Sequence, residues 1–193
     1  MSAGEALLDP SGFPDPGRPR FCARCGAAMA ERQDDGRPRP VCPRCGWVYY
    51  AKNAVGAGIL IERAGRVLLV QRAHRPYEGQ WMLPAGFVEY GEDAAATAVR
   101  EAVEECALRV RVGQTFGIYF GTDDPRNPSY LVVYRATLDP EGQTPRAGDD
   151  AAAAEWFPPH ALPAAIAFQA HRTALAEWVA ATATATATES ARA

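Results

Sequence analysis

The sequence predicts an α/β fold in which a sheet packs with two helices. A helix is expected at 94–106, because this stretch lacks Gly and Pro and is rich in Ala, Glu and Arg. A second helix is expected at 164–179, where apolar residues recur with helical spacing. Short apolar stretches bounded by turn residues predict the strands of the sheet.

The strands follow one another along most of the chain after residue 53. The first two are expected to form a hairpin, since the turn sequence ERAGR separates two apolar stretches. A polar loop at 72–80 is expected to enter the functional site and to lead into a short strand. The predicted strands are 54–61, 67–71, 81–83, 109–112, 115–120, 130–138 and 153–157.

Length and charge exclude several classes of protein. With 193 residues, the chain can hold one ordinary domain and a small module. A net charge of −3 and a pI of about 5.7 argue against a general binder of nucleic acid or anionic membranes. There is no apolar run of 18 residues and no signal-peptide pattern at the N-terminus, so we expect no membrane span and a cytoplasmic location.

Four of the five cysteines form two CxxC pairs. Cys22 and Cys25 are separated from Cys42 and Cys45 by sixteen residues. Two such pairs suit a tetrahedral zinc site, in which each pair supplies two thiolates from a tight turn. A pair of disulfides or of redox-active dithiols is the alternative, but disulfides are rare in cytosolic proteins. Because four protein ligands close the site, the sequence predicts structural rather than catalytic zinc.

The chain is therefore expected to divide into four segments. A small zinc ribbon precedes the α/β domain, and Pro- and Gly-containing or low-complexity sequence flanks the two. The arginines of the ribbon lack interleaved aromatic residues, so a stabilising or dimer-forming role is favoured over nucleic-acid binding. The segments are a disordered N-terminal arm at 1–20, the zinc ribbon at 21–50, the α/β domain at 51–181 and a disordered low-complexity tail at 182–193.

The first helix carries three carboxylates on one side. Glu104 and Glu105 follow Glu101 by three and four residues, so the three side chains are neighbours on the helix surface. Like charges so placed repel one another, and hard divalent cations such as Mg²⁺ select clustered carboxylate oxygens. Asp93 is expected to cap the helix N-terminus. The alternative interpretation is a solvated helix face without a ligand.

The stretch from Gly86 to Leu108 resembles the Nudix box, G-x5-E-x7-R-E-U-x-E-E-x-G-U, in which U is apolar. The matching positions are Gly86, Glu92, Arg100, Glu101, Ala102, Glu104, Glu105 and Leu108. Ala107 replaces the late Gly of the pattern, at a helix exit where φ > 0 is easiest without a Cβ. The resemblance implies a Nudix hydrolase with an α/β/α sandwich and a mixed sheet.

The resemblance also implies roles for residues of the box and its surroundings. Glu101, Glu104 and Glu105 are expected to bind catalytic Mg²⁺ or Mn²⁺, with Glu101 or Glu105 orienting or deprotonating the attacking water. Arg100 is expected to pair with Glu92 and fix the loop against the helix. The residues expected to contact substrate are Gly86, Glu89 and Trp81. Solvation of Glu89 and core packing of Trp81 are the alternatives.

A zinc ribbon ahead of a Nudix domain is the arrangement of NADH pyrophosphatases and their relatives. The S-Q-P-W-P-F-P-x-S array of NADH pyrophosphatases is absent here. The strings FCARCG, GQWMLPAGFVEYGE and LPAAIAF look closer to the zinc-ribbon FAD and ADP-ribose pyrophosphatases. The resemblance implies Mg²⁺-dependent hydrolysis of the pyrophosphate bond in a dinucleotide or nucleotide sugar, with release of AMP. NADH or NAD⁺ hydrolysis is one alternative, and a nucleotide-sensing regulator that binds nucleic acid is another.

A few residues outside the box are further candidates. Acidic residues in later loops are candidate metal ligands, although loop and cap roles are commoner for Asp. These residues are Asp123, Asp124, Asp149 and Asp150. His74 lies in the polar loop, within expected reach of phosphate, whereas His160 and His171 are expected to be structural. By resemblance, a homodimer is also expected.

Overall fold

The computed structural model describes residues 18–124, 127–148 and 150–190, with side chains described up to residue 184. The chain divides into two compact units between Asn53 and Ala54, three residues after the predicted boundary. Most of the predicted N-terminal arm and the candidate ligand Asp149 lie outside the described residues. The described end of that arm is not disordered, because the Arg20 carbonyl accepts a hydrogen bond from the Met29 N–H at 3.0 Å.

The first unit is built on a single hairpin. Strands β1 (Ala30–Asp34) and β2 (Arg37–Val41) pair antiparallel in register. Asp35 and Gly36 connect them with φ values of 50° and 72°, which is the geometry of a tight two-residue hairpin turn. Cys22 and Cys42 are the only buried residues between 18 and 53. The described part of this unit therefore has no apolar core apart from its cysteines.

The second unit contains a seven-stranded mixed sheet and two long helices. Its strand order is β5-β4-β3-β8-β7, with β6 paired to β3 and β9 paired to β4. Strands β3 and β8 run parallel, and the other pairs are antiparallel. The elements are β3 (Ala54–Arg63), β4 (Arg66–Arg72), β5 (Trp81–Met82), β6 (Ala85–Phe87), α1 (Ala94–Cys106), β7 (Val110–Gly121), β8 (Ser129–Leu138), β9 (Ala151–Phe157), a 3₁₀ turn (Pro159–Ala161) and α2 (Gln169–Ser190).

The two faces of the sheet are covered by different helices. On one face Ala57, Ile59 and Ile61 of β3 pack in a cluster with α1 residues such as Ala98. On the other face Leu60 packs in a cluster with α2 residues such as Trp178. This alternation follows from the two-residue period of a strand. The predicted α/β/α sandwich with a mixed sheet is confirmed.

Two sequence expectations are corrected by the structure. The strands predicted at 109–112 and 115–120 form one strand, β7, whose register with β8 shifts around Gly113 to Gly117. Residues 182–190, predicted to be disordered, continue helix α2 to Ser190. Alanine has the highest helix propensity, and the Thr182 hydroxyl bonds the Trp178 carbonyl one turn earlier. Residues 191–193 lie outside the described part of the chain.

Among the described residues, no helix has both the length and the apolar character that a membrane crossing requires.

Candidate active site and zinc cluster

The four cysteines of the first unit form a compact group of sulfur atoms. All four Sγ atoms lie within 4.8 Å of one another. The Sγ–Sγ distances are 3.6 Å for Cys22–Cys45 and 3.5 Å for Cys25–Cys42. Tetrahedral zinc with Zn–S bonds of about 2.3 Å places sulfurs roughly 3.8 Å apart, whereas a disulfide requires about 2.05 Å. The cluster therefore fits zinc and not the alternative disulfides.

Each CxxC pair is shaped by its own backbone turn. The Gly26 N–H donates to the Cys22 carbonyl at 2.9 Å, and the Gly46 N–H donates to the Cys42 carbonyl at 3.0 Å. Both glycines have φ near +70°, which a residue without Cβ adopts most easily. The thiols share hydrogen bonds, so the pKa of Cys42 is lowered to about 6 while the pKa of Cys45 is raised to about 12. Bound zinc would favour the thiolate form of all four cysteines.

Helix α1 begins at a side-chain cap and places two carboxylates in the interior. The Asp93 side chain accepts the Ala95 N–H at 2.8 Å, as expected for an N-cap. Glu101 and Glu105 are 8% and 6% exposed, although they are acidic. The Ala85 N–H donates to Glu105 Oε2 at 2.9 Å. Helix α1 and strand β6 therefore form the two sides of the carboxylate site.

Gly86 lets the backbone of β6 approach Glu101 closely. A Cβ atom at residue 86 would lie 1.9 Å from Glu101 Oε1, a distance that no real contact has. Gly86 also lines the same cleft as Glu101 and Glu105. The Gly of the Nudix-box pattern therefore has a steric reason in this chain.

Arg100 donates hydrogen bonds to four residues near the carboxylate site. Its Nε and NH2 donate to the two oxygens of Glu92 at 2.9 and 3.0 Å, and its NH1 donates to Glu101 at 2.6 Å and to Glu104 at 2.8 Å. NH2 also donates to the Phe87 carbonyl at 3.1 Å. These bonds lower the pKa of Glu92 to about 2. Arg100 thus ties the loop before α1 to the helix, and it offsets the charge of Glu101 and Glu104.

Glu105 is buried but, unlike Glu101 and Glu104, it forms no hydrogen bond with Arg100. Burial chiefly, and the charges of Glu101 and Asp150 to a smaller extent, raise the pKa of Glu105 to about 8, against the lowering effects of the Ala85 N–H and Arg72. The pKa of Glu101 is also raised, chiefly by burial. A divalent cation would favour the ionised form of both groups. These buried carboxylates lack a nearby positive charge sufficient to keep their pKa values low, and their oxygen atoms are the ligands that a hard metal ion such as Mg²⁺ binds.

The loop after β8 is attached to the C-terminal end of α1. The Arg146 N–H donates to the Cys106 carbonyl at 2.9 Å, and the Gly148 N–H donates to the Glu105 carbonyl at 3.0 Å. A Cβ at residue 148 would lie 1.7 Å from the Glu104 carbonyl oxygen, so only Gly fits. The helix ends at Cys106, and the φ of 55° at its C-cap, Ala107, matches the left-handed geometry expected where the pattern has Gly.

A cleft of about 380 Å³ joins the carboxylates to several other elements. Five predicted site residues line it: Gly86, Glu89, Arg100, Glu101 and Glu105. Glu92 and Glu104 are not among its lining residues, although both bond Arg100. Trp81 is not among the lining residues either, and its ring packs edge-on against Phe157 at 4.8 Å in the core cluster beside α2. This core packing is the alternative that the sequence left open for Trp81.

Of the candidate acidic residues outside the box, two line the cleft and one caps helix α2. Asp123 accepts the Gln169 N–H at 2.8 and 2.9 Å and pairs with Arg172, so it caps α2. Asp124 is 5% exposed and lines the cleft. Asp150 also lines the cleft, with His74 Nε2 at 3.7 Å from its carboxylate. The attached loop that carries Gly148 brings Asp150 to the same cleft as the box carboxylates.

Several lining residues were not predicted as site residues, because they come from separate elements. They include Arg72, Arg75, Phe87, Tyr130, Phe168 and His171. The polar loop predicted to enter the site carries two of these residues and His74. For Tyr130 and Phe168 the sequence offers only an aromatic in an apolar stretch, which is more often core. His171 is buried, as a structural His would be, but it also lines the cleft.

Comparison with known proteins agrees with this geometry. A NUDIX domain model matches residues 52–179, and the Nudix N-terminal zinc-ribbon model matches residues 20–51. The chain belongs to the NUDIX domain family. The predicted Nudix hydrolase with an N-terminal zinc ribbon is thereby confirmed.

Named relatives and a solved structure add detail. An ADP-ribose pyrophosphatase from Methanocaldococcus jannaschii is 39% identical over 59% of this chain and 67% of its own length. An NAD-capped RNA hydrolase from Chromobacterium violaceum is 33% identical over 75% of this chain, and the match spans about half (52%) of that relative. The crystal structure of a NUDIX hydrolase from Nitrosomonas europaea is 31% identical with a TM-score of 0.73, covering 83% of this chain and 90% of that one.

Proposed function

We propose that this Nudix hydrolase cleaves the pyrophosphate bond of a nucleoside diphosphate linked to another moiety, of the FAD or ADP-ribose class, with Mg²⁺ or Mn²⁺. The products are AMP and the second phosphate ester. The observation that carries the proposal is the pair of buried carboxylates, Glu101 and Glu105, beside the close backbone of Gly86 in one cleft. Buried carboxylates of this kind can bind a hard cation that also contacts a phosphate group.

The substrate class is supported by relatives and by the lining of the cleft. The ADP-ribose pyrophosphatase from Methanocaldococcus jannaschii is 39% identical to this chain over 115 residues. The cationic residues Arg72 and Arg75, with His74, line the same cleft as the carboxylates. Cations there suit the phosphate groups that a carboxylate cluster alone would repel.

The residues of the site have distinct roles in the proposed reaction. Glu101, Glu104 and Glu105 would hold the divalent cation, with Asp150 as a further ligand from the attached loop. A divalent cation held by these carboxylates would supply charge neutralisation for the pyrophosphate and a lowered pKa for the attacking water. Glu101 or Glu105 would accept the proton of the attacking water, and burial raises the pKa of both carboxyl groups. Arg100 stays protonated and positions the loop and helix through Glu92.

The overall reaction conserves atoms and charge without any other reactant. Water attacks one phosphorus of X–O–PO₂–O–PO₂–O–Y, and the bond between that phosphorus and the bridging oxygen breaks. The products are X–phosphate and Y–phosphate, which are AMP and FMN from FAD, or AMP and ribose 5-phosphate from ADP-ribose. The zinc cluster takes no part in this reaction, because its four thiolates leave no open ligand position. It would stabilise the ribbon and support a homodimer.

NADH or NAD⁺ hydrolysis is the second candidate function. It is favoured by the NAD-capped RNA hydrolase from Chromobacterium violaceum, whose match covers 75% of this chain. The missing S-Q-P-W-P-F-P-x-S array favours the FAD and ADP-ribose class instead. A nucleotide-sensing regulator is the weakest alternative, since the acidic positions of the box are all retained here.

Product analysis with FAD, ADP-ribose, NADH and NAD⁺, each with and without Mg²⁺, tests the proposal. Metal-dependent AMP release from FAD or ADP-ribose is expected, with kcat reduced at least about 100-fold in Glu105→Gln. Glu141→Gln, in an exposed turn, is the matched control and should retain full turnover. Faster turnover of NADH than of the other substrates would favour the second candidate. Equal turnover in Glu105→Gln and the wild type would reject the assigned role.

A further inference from the structure

A second group of residues in the cleft belongs to α2 and the turn before it. Phe168, Ala170 and His171 line the cleft together with the apolar side chains of Met82 and Leu131. The box carboxylates that line the cleft come from α1. The cleft therefore has an acidic set of residues from α1 and a second set from α2 and the turn before it. The α2 set is apolar apart from its histidine. It therefore offers little to a phosphate and more to a flat, weakly polar group.

His171 is buried and incompletely hydrogen-bonded. It is 5% exposed, and within the described part of the chain no hydrogen-bond partner lies within reach of its Nδ1. Burial lowers the pKa of His171 to about 3, with Arg72 and Arg172 adding to the effect against Asp123. The imidazole is thus neutral at physiological pH, with one donor and one acceptor nitrogen. Because Nδ1 itself is buried and Nε2 is not among the buried unpaired atoms, Nε2 is the nitrogen that a ligand in the cleft can reach.

Phe168 next to it has an unfavourable backbone conformation. Its φ of 54° is in the left-handed region, which a bulky aromatic residue rarely adopts. Neighbouring groups hold the ring in place: Tyr77 contacts it edge-on at 4.8 Å, and the Arg72 guanidinium lies 5.0 Å from its centre. The His171 ring lies 5.9 Å away. Strained residues held by their surroundings cluster at ligand sites.

These observations restrict the kind of group that binds here. A neutral imidazole supplies no charge for phosphate, whereas the cationic side chains Arg72 and Arg75 line the same cleft. A ribose has several hydroxyl groups and no flat apolar face. A nucleobase has apolar faces that suit Phe168, Met82 and Leu131, and ring nitrogens at its edge that one imidazole can bond.

We propose that His171 hydrogen-bonds the edge of the nucleobase in the substrate's nucleoside half, with Phe168 fixing the position of the imidazole. The proposal rests on the proposed function for the presence of a nucleoside, and it assigns that moiety to the α2 side of the cleft. His171 is then a residue that determines substrate specificity and not only a structural one.

Equilibrium binding of AMP and of ribose 5-phosphate tests this assignment without requiring turnover. His171→Phe keeps a ring of similar size without nitrogen atoms, and His171→Asn keeps a hydrogen-bonding group. His160→Phe, in the exposed 3₁₀ turn, is the matched control. By calorimetry, His171→Phe should weaken AMP binding about tenfold. Its affinity for ribose 5-phosphate should stay within about twofold of the wild type.

Stability separates a binding role from a structural role. A substrate-binding His171 predicts that His171→Phe unfolds at the same temperature as the wild type or higher, because the unpaired nitrogen is removed. His171→Asn should recover part of the AMP affinity. An unchanged AMP affinity in His171→Phe, or equal losses for both ligands, would overturn the proposal. So would a wild-type protein that shows no binding of AMP.

A measurement on the wild type keeps the test independent of variant folding. The chain has three histidines, so the imidazole nitrogens of His171 can be assigned by NMR from variants of His74 and His160. AMP should shift the His171 signals, and ribose 5-phosphate should leave them in place. Shifts with ribose 5-phosphate alone would contradict the assignment. Absence of turnover on the substrate panel, with AMP still shifting His171, would reject the proposed reaction and leave the nucleobase site intact.

Discussion

The four cysteines and the three glutamates of α1 offer metal ligands in two different ways. The cysteine sulfurs lie within 4.8 Å of one another, and each pair is held by a backbone turn of its own. The glutamates diverge: Glu101 and Glu104 bond Arg100, and Glu105 accepts the Ala85 N–H. Among the described residues, only the cysteines form a group that could hold a metal as it stands.

The difference arises because neighbouring residues position the cysteines, whereas distant parts of the chain position the glutamates. In a CxxC knuckle, four consecutive residues and the Gly that follows them fix two sulfurs, so the local sequence determines half of the site. On α1 the helix fixes only the side on which the carboxylates lie. Their positions depend on β6, through Gly86, and on the loop attached through Gly148. The cysteines thus suit a closed structural metal site, and the carboxylates suit a catalytic site with an open ligand position.

Loss of one cysteine should produce the largest effect. Cys42→Ser is expected to abolish zinc binding and the ordered structure of the first unit, because that unit has no other buried core. Structural zinc contributes roughly 10 kcal/mol or more to folding in such modules. Zinc content by atomic absorption and hydrogen exchange over residues 20–50 measure this. Cys106→Ala removes the fifth thiol and should keep one zinc per chain, whereas equal zinc loss in both variants would contradict the assignment.

Gly86→Ala should damage the carboxylate site and leave the zinc site intact. The added Cβ would lie 1.9 Å from Glu101 Oε1, so the carboxylate must move. A displacement of about 1 Å at a reacting centre costs on the order of 100-fold in kcat. Gly113→Ala, in β7, is the control and should change kcat little. Retained turnover in Gly86→Ala would show that the position of Glu101 does not limit the reaction.

Glu105 should make the metal-free protein less stable as pH rises. Its pKa is raised from 4.5 to about 8 in the folded state, so between these values the folded protein binds more protons than the unfolded chain. Stability therefore falls from pH 5 to pH 8, by an amount on the order of a few kcal/mol. Denaturant unfolding of metal-free protein measures the slope. Glu105→Gln should flatten it, and an unchanged slope would place the pH dependence elsewhere.

Ala107→Gly should give the smallest effect, with the opposite sign. Ala107 has φ = 55°, where Gly is favoured over Ala by roughly 1 kcal/mol. The variant should therefore unfold at a higher denaturant concentration, with turnover unchanged. Ala96→Gly, in an exposed position of the same helix, should be destabilised by about 1 kcal/mol. Destabilisation of Ala107→Gly would mean that Ala at this exit carries no strain.

Sequence patterns predicted the elements with local signals. The first helix begins at Ala94 and ends at Cys106 as predicted, with Asp93 as its cap, because composition and capping are properties of adjacent residues. The cysteine cluster was predicted for the same reason. The extension of α2 to Ser190 was missed, because a low-complexity stretch of Ala and Thr was interpreted as disorder rather than by its helix propensity.

The walls of the cleft could not be predicted in this way. Tyr130, Phe168 and Arg72 come from β8, the turn before α2 and β4, and only the sheet order brings them to one place. Trp81 was predicted to contact substrate, and the structure shows its ring packed on Phe157 outside the cleft lining. His171 has helical spacing typical of a core residue, and its missing hydrogen-bond partner is visible only in three dimensions.

The most direct test of the two metal sites is dialysis against metal-free buffer without a strong chelator. Zinc content and ADP-ribose or FAD turnover are then measured before and after Mg²⁺ is returned. The closed thiolate site predicts one zinc per chain after dialysis, and the open carboxylate site predicts turnover that is lost and then restored by Mg²⁺ alone. Turnover that disappears only with the zinc, and returns only with zinc, would contradict the account.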